Sequence, residues 1–458
     1  MQLIFSCIYI VNMGGMFSSK IPSAPYIVPY QKKFTEVFEE ESRDKLWSFA
    51  VLIGVKNLVD IDSKELLISK IIGHVMDLNK SKIFIKREQI IDYVTGSLSR
   101  VELVNKFACT SHKSPRQLMD TIEILKMLGW GLEGSVFDGY INHENYPISL
   151  AIKFIKLDKK TFNIILNHKE PWYKIGINKG IREIMASFMV NEIIKLKATP
   201  SLVYSYWWYL CDNCREIHKI GGTPKSRKRI PITGPCFILI SEKMLGDIRP
   251  LCKRLNKEDC LIMIFEVIWA LHCLQLYWGI AHGDSYVRNI FYTVETPGGY
   301  LTFTDLDGTQ YFIPKTKYTF YLGDYGFSES PRYFGISGGK MVFSSTRNLE
   351  TGALNPPLPS PYDNQKYQSE KRKSLFFFLL DLGGKVNEEV QNEVIYPMID
   401  AYKKREVDYL SILKKYLWPY FKTKPVGQSE IASYSVLNSP TKDFDLLYKS
   451  IAQSISDF

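Results

Sequence analysis

The sequence predicts an α+β chain in which a helical N-terminal stretch precedes a strand-rich region and then a helix-rich one. Three observations predict it. Apolar residues recur at helical spacing between about Thr35 and Ile124, short β-branched and aromatic runs punctuated by glycine begin at Leu125, and a long apolar helix opens at Lys257. A length of 458 residues fits two to four structural units, each with enough chain to bury a core. With 45% hydrophobic and 23% charged residues, disorder, collagen-like repeats and small disulfide scaffolds are excluded. Eight cysteines without dense spacing fit a reducing compartment, where oxidised pairs are not assumed.

The elements follow in order. Residues 1–33 read as a leader and a Pro-containing linker. Leu3 to Val11 is too short to span a membrane, and no segment offers the roughly 18 uninterrupted apolar residues of a spanning helix. Met13-Gly14-Gly15-Met16-Phe17-Ser18 matches the N-myristoylation pattern, which would anchor the chain to a membrane if translation starts at Met13; a chance match in a loose motif is the blander reading. Residues 34–122 read as a helical extension, with Leu67, Ile68, Ile71 and Val75 on one face and Val101, Val104 and Ala108 on another. Strands are expected over Ser135 to Tyr140, Ile148 to Ile155, Leu202 to Leu210 and Cys236 to Ser241, with a helix over Ile181 to Leu196. A longer helix is expected from Lys257 to about Trp278, its Leu261, Ile264, Phe265, Ile268 and Leu271 on one face.

Four motifs carry chemistry. Gly129, Gly131, Gly134 and Val136 form G-x-G-x-x-G-x-V, whose missing side chains let backbone N–H groups approach phosphates. Leu150-Ala151-Ile152-Lys153 resembles V-A-I-K, and a Lys in an apolar strand calls for an anionic partner. Glu183 and Glu192 both lie on the following helix, on opposite faces; Glu183 is the preferred partner, and a solvated helix charge is the alternative. His282 to Asn289 fits H-x-D-x-x-x-x-N, a match expected by chance only about 0.02 times in the chain. Downstream, Asp324-Tyr325-Gly326 stands in place of D-F-G.

In this order the motifs resemble the eukaryotic-type protein kinases, most of all the divergent serine/threonine kinases of large DNA viruses, with some similarity to haspin. The resemblance to that branch rests on a long insert before Asp324 that contains Tyr311-Phe312-Ile313-Pro314. It implies a bilobal kinase domain over 123–458, with an N-lobe at about 123–245 and a C-lobe at about 246–458. It implies Mg²⁺ and ATP, a protein substrate carrying the acceptor hydroxyl, and a cytoplasmic location in an infected cell or association with the virion. Asp284 would orient the hydroxyl, Asn289 and Asp324 would hold Mg²⁺, and Lys153, held by Glu183, would fix the α/β-phosphates. Backbone groups near Glu242 and Met244 would receive adenine, with Ser241 guarding the back of the pocket. A pseudokinase, binding nucleotide or docking a partner without catalysis, is the alternative.

The sequence also departs from that pattern. Gly283 replaces the Arg of H-R-D, Tyr286 stands where serine/threonine kinases usually carry Lys, and Arg288 could supply the missing charge. No clear A-P-E follows Asp324, Pro356 to Pro359 being a poor substitute, and Asp363 is a weak candidate for anchoring the catalytic loop. Cys211, Cys214, His218 and Cys236 could bind Zn²⁺, but their later spacing is unconventional and reduced cysteines in a connecting loop are the favoured reading. Lys225 to Arg229 could bind an acidic partner, but so short a run without interleaved aromatics is favoured as a solvated loop. Nucleic acid is not indicated. The net charge of +10 suits a site for a polyanionic nucleotide.

Overall fold

The computed structural model describes residues 63–65, 67–68, 70, 87–104, 122–130, 134–143, 146–166, 179–211, 214, 234–330, 365–403 and 409–436. The leader with its Met13–Ser18 motif, Gly131, His218, the Lys225–Arg229 run, Pro356–Pro359 and Asp363 lie outside them. Contacts divide the chain into two units. The first holds residues 1–99, 121–123 and 140–149, and the second holds the rest. In the first, helix α1 (Arg87–Val104) buries Ile91, Val94 and Leu98, and Leu67 and Ile68 are also buried, in keeping with helical spacing.

Further along the chain the described residues turn to strand. Helical character was expected to Ile124, but β1 (Ile122–Trp130) already begins at Ile122, where Ile122-Glu123-Ile124 alternates with period two. There follow β2 (Gly134–His143), β3 (Tyr146–Lys156), the short helix α2 (Lys159–Leu166), helix α3 (Lys179–Lys195), β4 (Ser205–Cys211) and β5 (Cys236–Glu242). The five strands form one sheet in the order β1-β2-β3-β5-β4. β5 runs antiparallel to both neighbours, with Lys153 opposite Leu239 and Ala151 opposite Ser241. α2 was not expected. Its start is capped by Asp158, which accepts the Thr161 N–H at 2.7 Å.

After the two-residue strand β6 (Gly246–Asp247) comes α4 (Lys257–Trp278). Asn256 caps it by accepting the Asp259 N–H at 2.7 Å. The helix is long and apolar enough to cross a membrane, yet almost all of it is buried in protein. It is hydrophobic all round because it is packed on every side. Two indoles tie it to the strand-rich half: Trp269 Nε1 donates to Ala198 O at 2.9 Å and Trp278 Nε1 to Met189 O at 2.7 Å.

Next come β7 (Ile290–Val294), β8 (Tyr300–Thr304), β9 (Gln310–Pro314) and β10 (Tyr318–Leu322). β7 and β10 pair antiparallel, and β8 and β9 form a hairpin inserted between them. Helix α5 (Gln365–Leu382) follows, and far downstream β11 (Glu430–Ser435) adds to β8 in parallel. This small sheet is seated on α4 by aromatic contacts, with Phe265 5.1 Å from both Phe303 and Tyr311.

An acidic side chain is buried within this packing. Glu266 of α4 accepts the Phe320 N–H at 2.9 Å, but burial, helped by the nearby Glu295 charge, pushes its carboxyl up to about 8. An acid with a raised folded pKa holds its proton while the unfolded chain releases one, so this contribution to stability is lost as pH rises from about 4.5 to about 8. Glu266→Gln keeps a carbonyl acceptor and cannot ionise. Its melting temperature is expected to match wild type near pH 5 and to exceed it by several degrees at pH 8.5, measured by thermal unfolding across pH.

Candidate active site

The site residues lie on β1, β2, β3 and the end of β5, on α3 and on the loops before β7 and after β10. Gly134 begins β2 where the β3 backbone comes closest: a Cβ there would collide with the Phe154 carbonyl. Gly134 is thus held against the strand that carries Lys153. Gly129 sits near the end of β1, and Val136 and Ala151 are half-buried along β2 and β3.

Lys153 meets two carboxylates. Its Nζ pairs with Glu183 Oε1 from α3 and lies 2.9 Å from Asp324 Oδ1. Glu192, by contrast, bonds Lys195 at 2.7 Å on its own helix. Burial alone would lower the Lys153 pKa, but the charges of Asp324 and Glu183 outweigh it and raise the ammonium above its ordinary value. Burial likewise works to raise Asp324, and the Lys153 charge overcomes it and holds the carboxyl below the usual range. Lys153 and Asp324 are therefore both ionised at neutral pH. Asp324 adopts φ 63°, a left-handed conformation that Asp tolerates better than most residues and that turns the chain sharply after β10.

A second cluster gathers on the loop after α4. Asp284 is buried, and its carboxylate accepts from Arg288 Nη2 at 2.6 Å and from Asn289 Nδ2 at 2.7 Å. The Arg288 guanidinium lies over the Tyr286 ring, 4.6 Å from its centroid, and that ring stacks on Phe377 of α5. Tyr286 thus supports the arginine that orients Asp284. The two clusters are neighbours, since Gly323 N–H donates to Asn289 O at 3.0 Å.

His282 joins them from below. The Asp284 N–H points at His282 Nδ1 at 3.3 Å and His282 Nε2 meets Gly323 O at 3.1 Å, a pairing that assigns the proton to Nε2. Burial lowers the His282 pKa against the opposing pull of Asp284 and Asp324, so the ring is neutral. Tyr325 packs against it edge-on at 5.5 Å.

Sequence reasoning missed what anchors this loop. Asp381 Oδ2 of α5 accepts the Val287 N–H at 2.9 Å, Ser374 Oγ accepts the Gly283 N–H at 3.1 Å, and Ser285 Oγ donates to Ser374 O. No local pattern marks an Asp that lies 94 residues from its partner. Asp381→Ala strands the Val287 amide, which costs about 1–3 kcal/mol. Turnover is expected to fall about tenfold to a hundredfold, with Asp381→Asn milder because its amide oxygen can still accept; kcat and nucleotide KM measured side by side check it.

The segment expected to receive adenine is tied down at its strand end. The Glu242 N–H donates to Tyr204 O at 2.9 Å, extending the strand pairing. Glu242 Oε2 accepts the Tyr204 N–H in return at 2.8 Å, and the buried pair Lys243–Asp138 at 2.6 Å ties the segment to β2. Ser241 faces Ser205, their hydroxyl oxygens 3.2 Å apart, and Met244 is half-buried just before β6.

The residues fit a nucleotide with Mg²⁺ on two observations. Asn289 spends its amide nitrogen on Asp284, which leaves the amide oxygen as the atom to meet a cation, and Asp324 keeps a partly exposed carboxylate. Both are hard oxygen donors.

No family model matches the chain. Over 266 residues it is 28% identical to "Probable serine/threonine-protein kinase 380R" of Invertebrate iridescent virus 6, covering 56% of this chain and 47% of that protein. It is 25% identical over 201 residues to a Frog virus 3 (isolate Goorha) protein carrying a serine/threonine-protein kinase name, 019R, covering 44% of this chain and 22% of that one. The chain thus matches less than half the length of either relative. A solved structure titled as the kinase domain of PF14_0431 overlays with a TM-score of 0.26 at 15% identity, covering 46% of this chain and 51% of that one.

Proposed function

We propose that this chain, whose similarity to viral serine/threonine kinases supports a place in the protein kinase superfamily, transfers the γ-phosphoryl group of ATP to a serine or threonine hydroxyl of a protein. The observation that carries the proposal is Lys153, which lies between Glu183 and Asp324 and next to no other purpose that its burial would justify. An ammonium held there is a fixed positive charge for the α/β-phosphates. Glu183 positions it, and Gly129 near the end of β1 and Gly134 at the start of β2 carry no side chain to keep phosphates from the backbone.

Asp284 is the group that receives the acceptor hydroxyl. Arg288 and Asn289 hold its carboxylate in one orientation, so a proton leaving the hydroxyl has a defined oxygen to reach. Arg288, half-exposed, adds positive charge where the transferred group gathers negative charge. When bound, Mg²⁺ would neutralise phosphate charge, and Asn289 and Asp324 are the residues that would hold it. Preference for serine or threonine rests on the names of the relatives.

The test is label transfer from ATP to generic protein substrates with Mg²⁺, using the full chain, beside direct measurement of ATP binding. Transfer that chelation abolishes supports the kinase reading. Binding without transfer, across a broad substrate panel, favours the pseudokinase instead. Myristoylation at Gly14, with the membrane tether it would add, is a separate proposal; an intact mass without the acyl increment, on chain made from its native start, ends it.

A further inference from the structure

The β4–β5 hairpin carries a second cluster of chemistry-bearing side chains, at the end opposite the adenine segment. Cys211 closes β4, Cys236 opens β5, and the register sets them opposite each other. Cys214 joins the ladder one step beyond, its N–H donating to Gly234 O at 3.0 Å. The three sulfurs lie within 4.8 Å of one another, and all three residues are fully buried. Glu242 is six residues along β5 from Cys236, roughly 20 Å of extended strand, so this cluster is separate from the proposed phosphoryl-transfer site.

We propose that Cys211, Cys214 and Cys236 form a structural zinc site that clamps the base of the β4–β5 connection. Tetrahedral thiolates about 2.3 Å from Zn²⁺ stand about 3.8 Å apart, which sulfurs gathered this closely reach with small adjustments. The Cys-x-x-Cys turn at a strand end, completed by a cysteine on the returning strand, supplies three of four corners; the fourth is not assigned. Cys214 and Cys236 pair as a disulfide here, their Cα atoms 6.2 Å apart. A disulfide joins two of these sulfurs at a time, whereas a metal uses all three. The other described cysteines, Cys252, Cys260 and Cys273, are buried thiols, as suits a reducing compartment, where zinc is favoured over a disulfide.

The consequence is mechanical. Binding takes the three groups as thiolates, releasing their protons to solvent, and closes the long connection between Cys211 and Cys236 at its base. β5 is thereby fixed at one end, and it is the strand that carries the adenine segment at the other.

The experiment uses the full chain purified under reducing agent without chelator. Metal analysis is expected to find about one zinc per chain, lost in Cys211→Ser and Cys236→Ser. Co²⁺ in place of zinc is expected to give a thiolate charge-transfer band. Should the serine variants fail to fold, stepwise mercurial blocking of wild-type thiols is expected to release the zinc in step with about three thiols. Zinc-free wild type that gives no cobalt band overturns the proposal, as does zinc retained by folded serine variants, zinc released without thiol blocking, or a Cys214–Cys236 disulfide recovered intact from reduced protein. Because zinc content is read without ATP, failure here leaves the kinase reading untouched, and failure of that reading leaves the zinc site standing.

Discussion

Asp284→Asn is expected to lower kcat by about 10²–10⁴ while leaving ATP affinity within about twofold, because the change removes a proton acceptor and no phosphate contact. The wild-type carboxylate accepts from two donors, Arg288 Nη2 and Asn289 Nδ2, one on each oxygen. An amide replaces one of those acceptors with a donor. It can keep the bond to Asn289 or the bond to Arg288, and the other donor must turn elsewhere. Loss of turnover therefore has two sources, the missing base and a loosened loop, and they separate in measurement. Loss of the base lowers kcat across all acceptor proteins alike. A loosened loop also lowers the melting temperature and raises the KM for the acceptor. Arg288→Ala, which leaves the base in place but frees it to rotate, is expected to give a smaller fall in kcat than Asp284→Asn. Equal transfer by wild type and Asp284→Asn, with ATP still bound, would sink the catalytic reading.

The parts of this site legible in the sequence are those whose chemistry fixes both residue type and spacing. Lys153, Asp284, Asn289 and Asp324 stand in motifs because the cation, the base and the two hard oxygen donors proposed for them admit few substitutes. The preference for Glu183 over Glu192 was legible as well, since opposite helix faces allow only one of them to meet Lys153, and Glu192 instead bonds a neighbour on its own helix. What was not legible is non-local. Asp381 and Ser374 hold the catalytic loop from α5, and nothing near them in sequence announces it. β11 pairs with β8 across more than a hundred residues, and its sequence Glu430 to Ser435 is too short and polar to read as a strand without its partner. The insert containing Tyr311 to Pro314 was noticed but not its use, which is to present Phe303 and Tyr311 to Phe265 and Trp269 of α4. The bond from the Glu242 N–H to Tyr204 O was not legible either, because it lies beyond the regular strand register. For the cysteines, spacing alone favoured an ordinary loop, and only the hairpin register brought three sulfurs to one point.

Restoring the familiar H-R-D by Gly283→Arg is expected to destroy the site rather than to improve it. Gly283 has φ 76°, where a residue with a Cβ is strained by about 1–2 kcal/mol. A Cβ would also collide with the carbonyl oxygen of Phe327, and that obstacle is backbone, with no flexible end to swing aside. Phe327 lies in the segment just after Asp324, and the Ala281 and Glu329 backbones exchange hydrogen bonds at 2.8 Å beside it. To admit any side chain at 283, the loop bearing Asp284 and the turn bearing Asp324 must move apart. Gly283→Ala already meets this barrier, so alanine and arginine are expected to fail together. Each should cost at least about 2 kcal/mol, a loss of roughly 5 °C or more in melting temperature, and reduce phosphoryl transfer to background. A glycine chosen only for flexibility would behave otherwise, with Gly283→Ala folding and working nearly as wild type. The same geometry bears on control of the proposed activity. In the kinases that the chain resembles, an arginine at this position pairs with a phosphorylated activation loop, and a backbone that excludes a Cβ leaves no place for that device. Activity is therefore expected to be indifferent to phosphatase treatment of the purified chain, with label transfer measured before and after treatment.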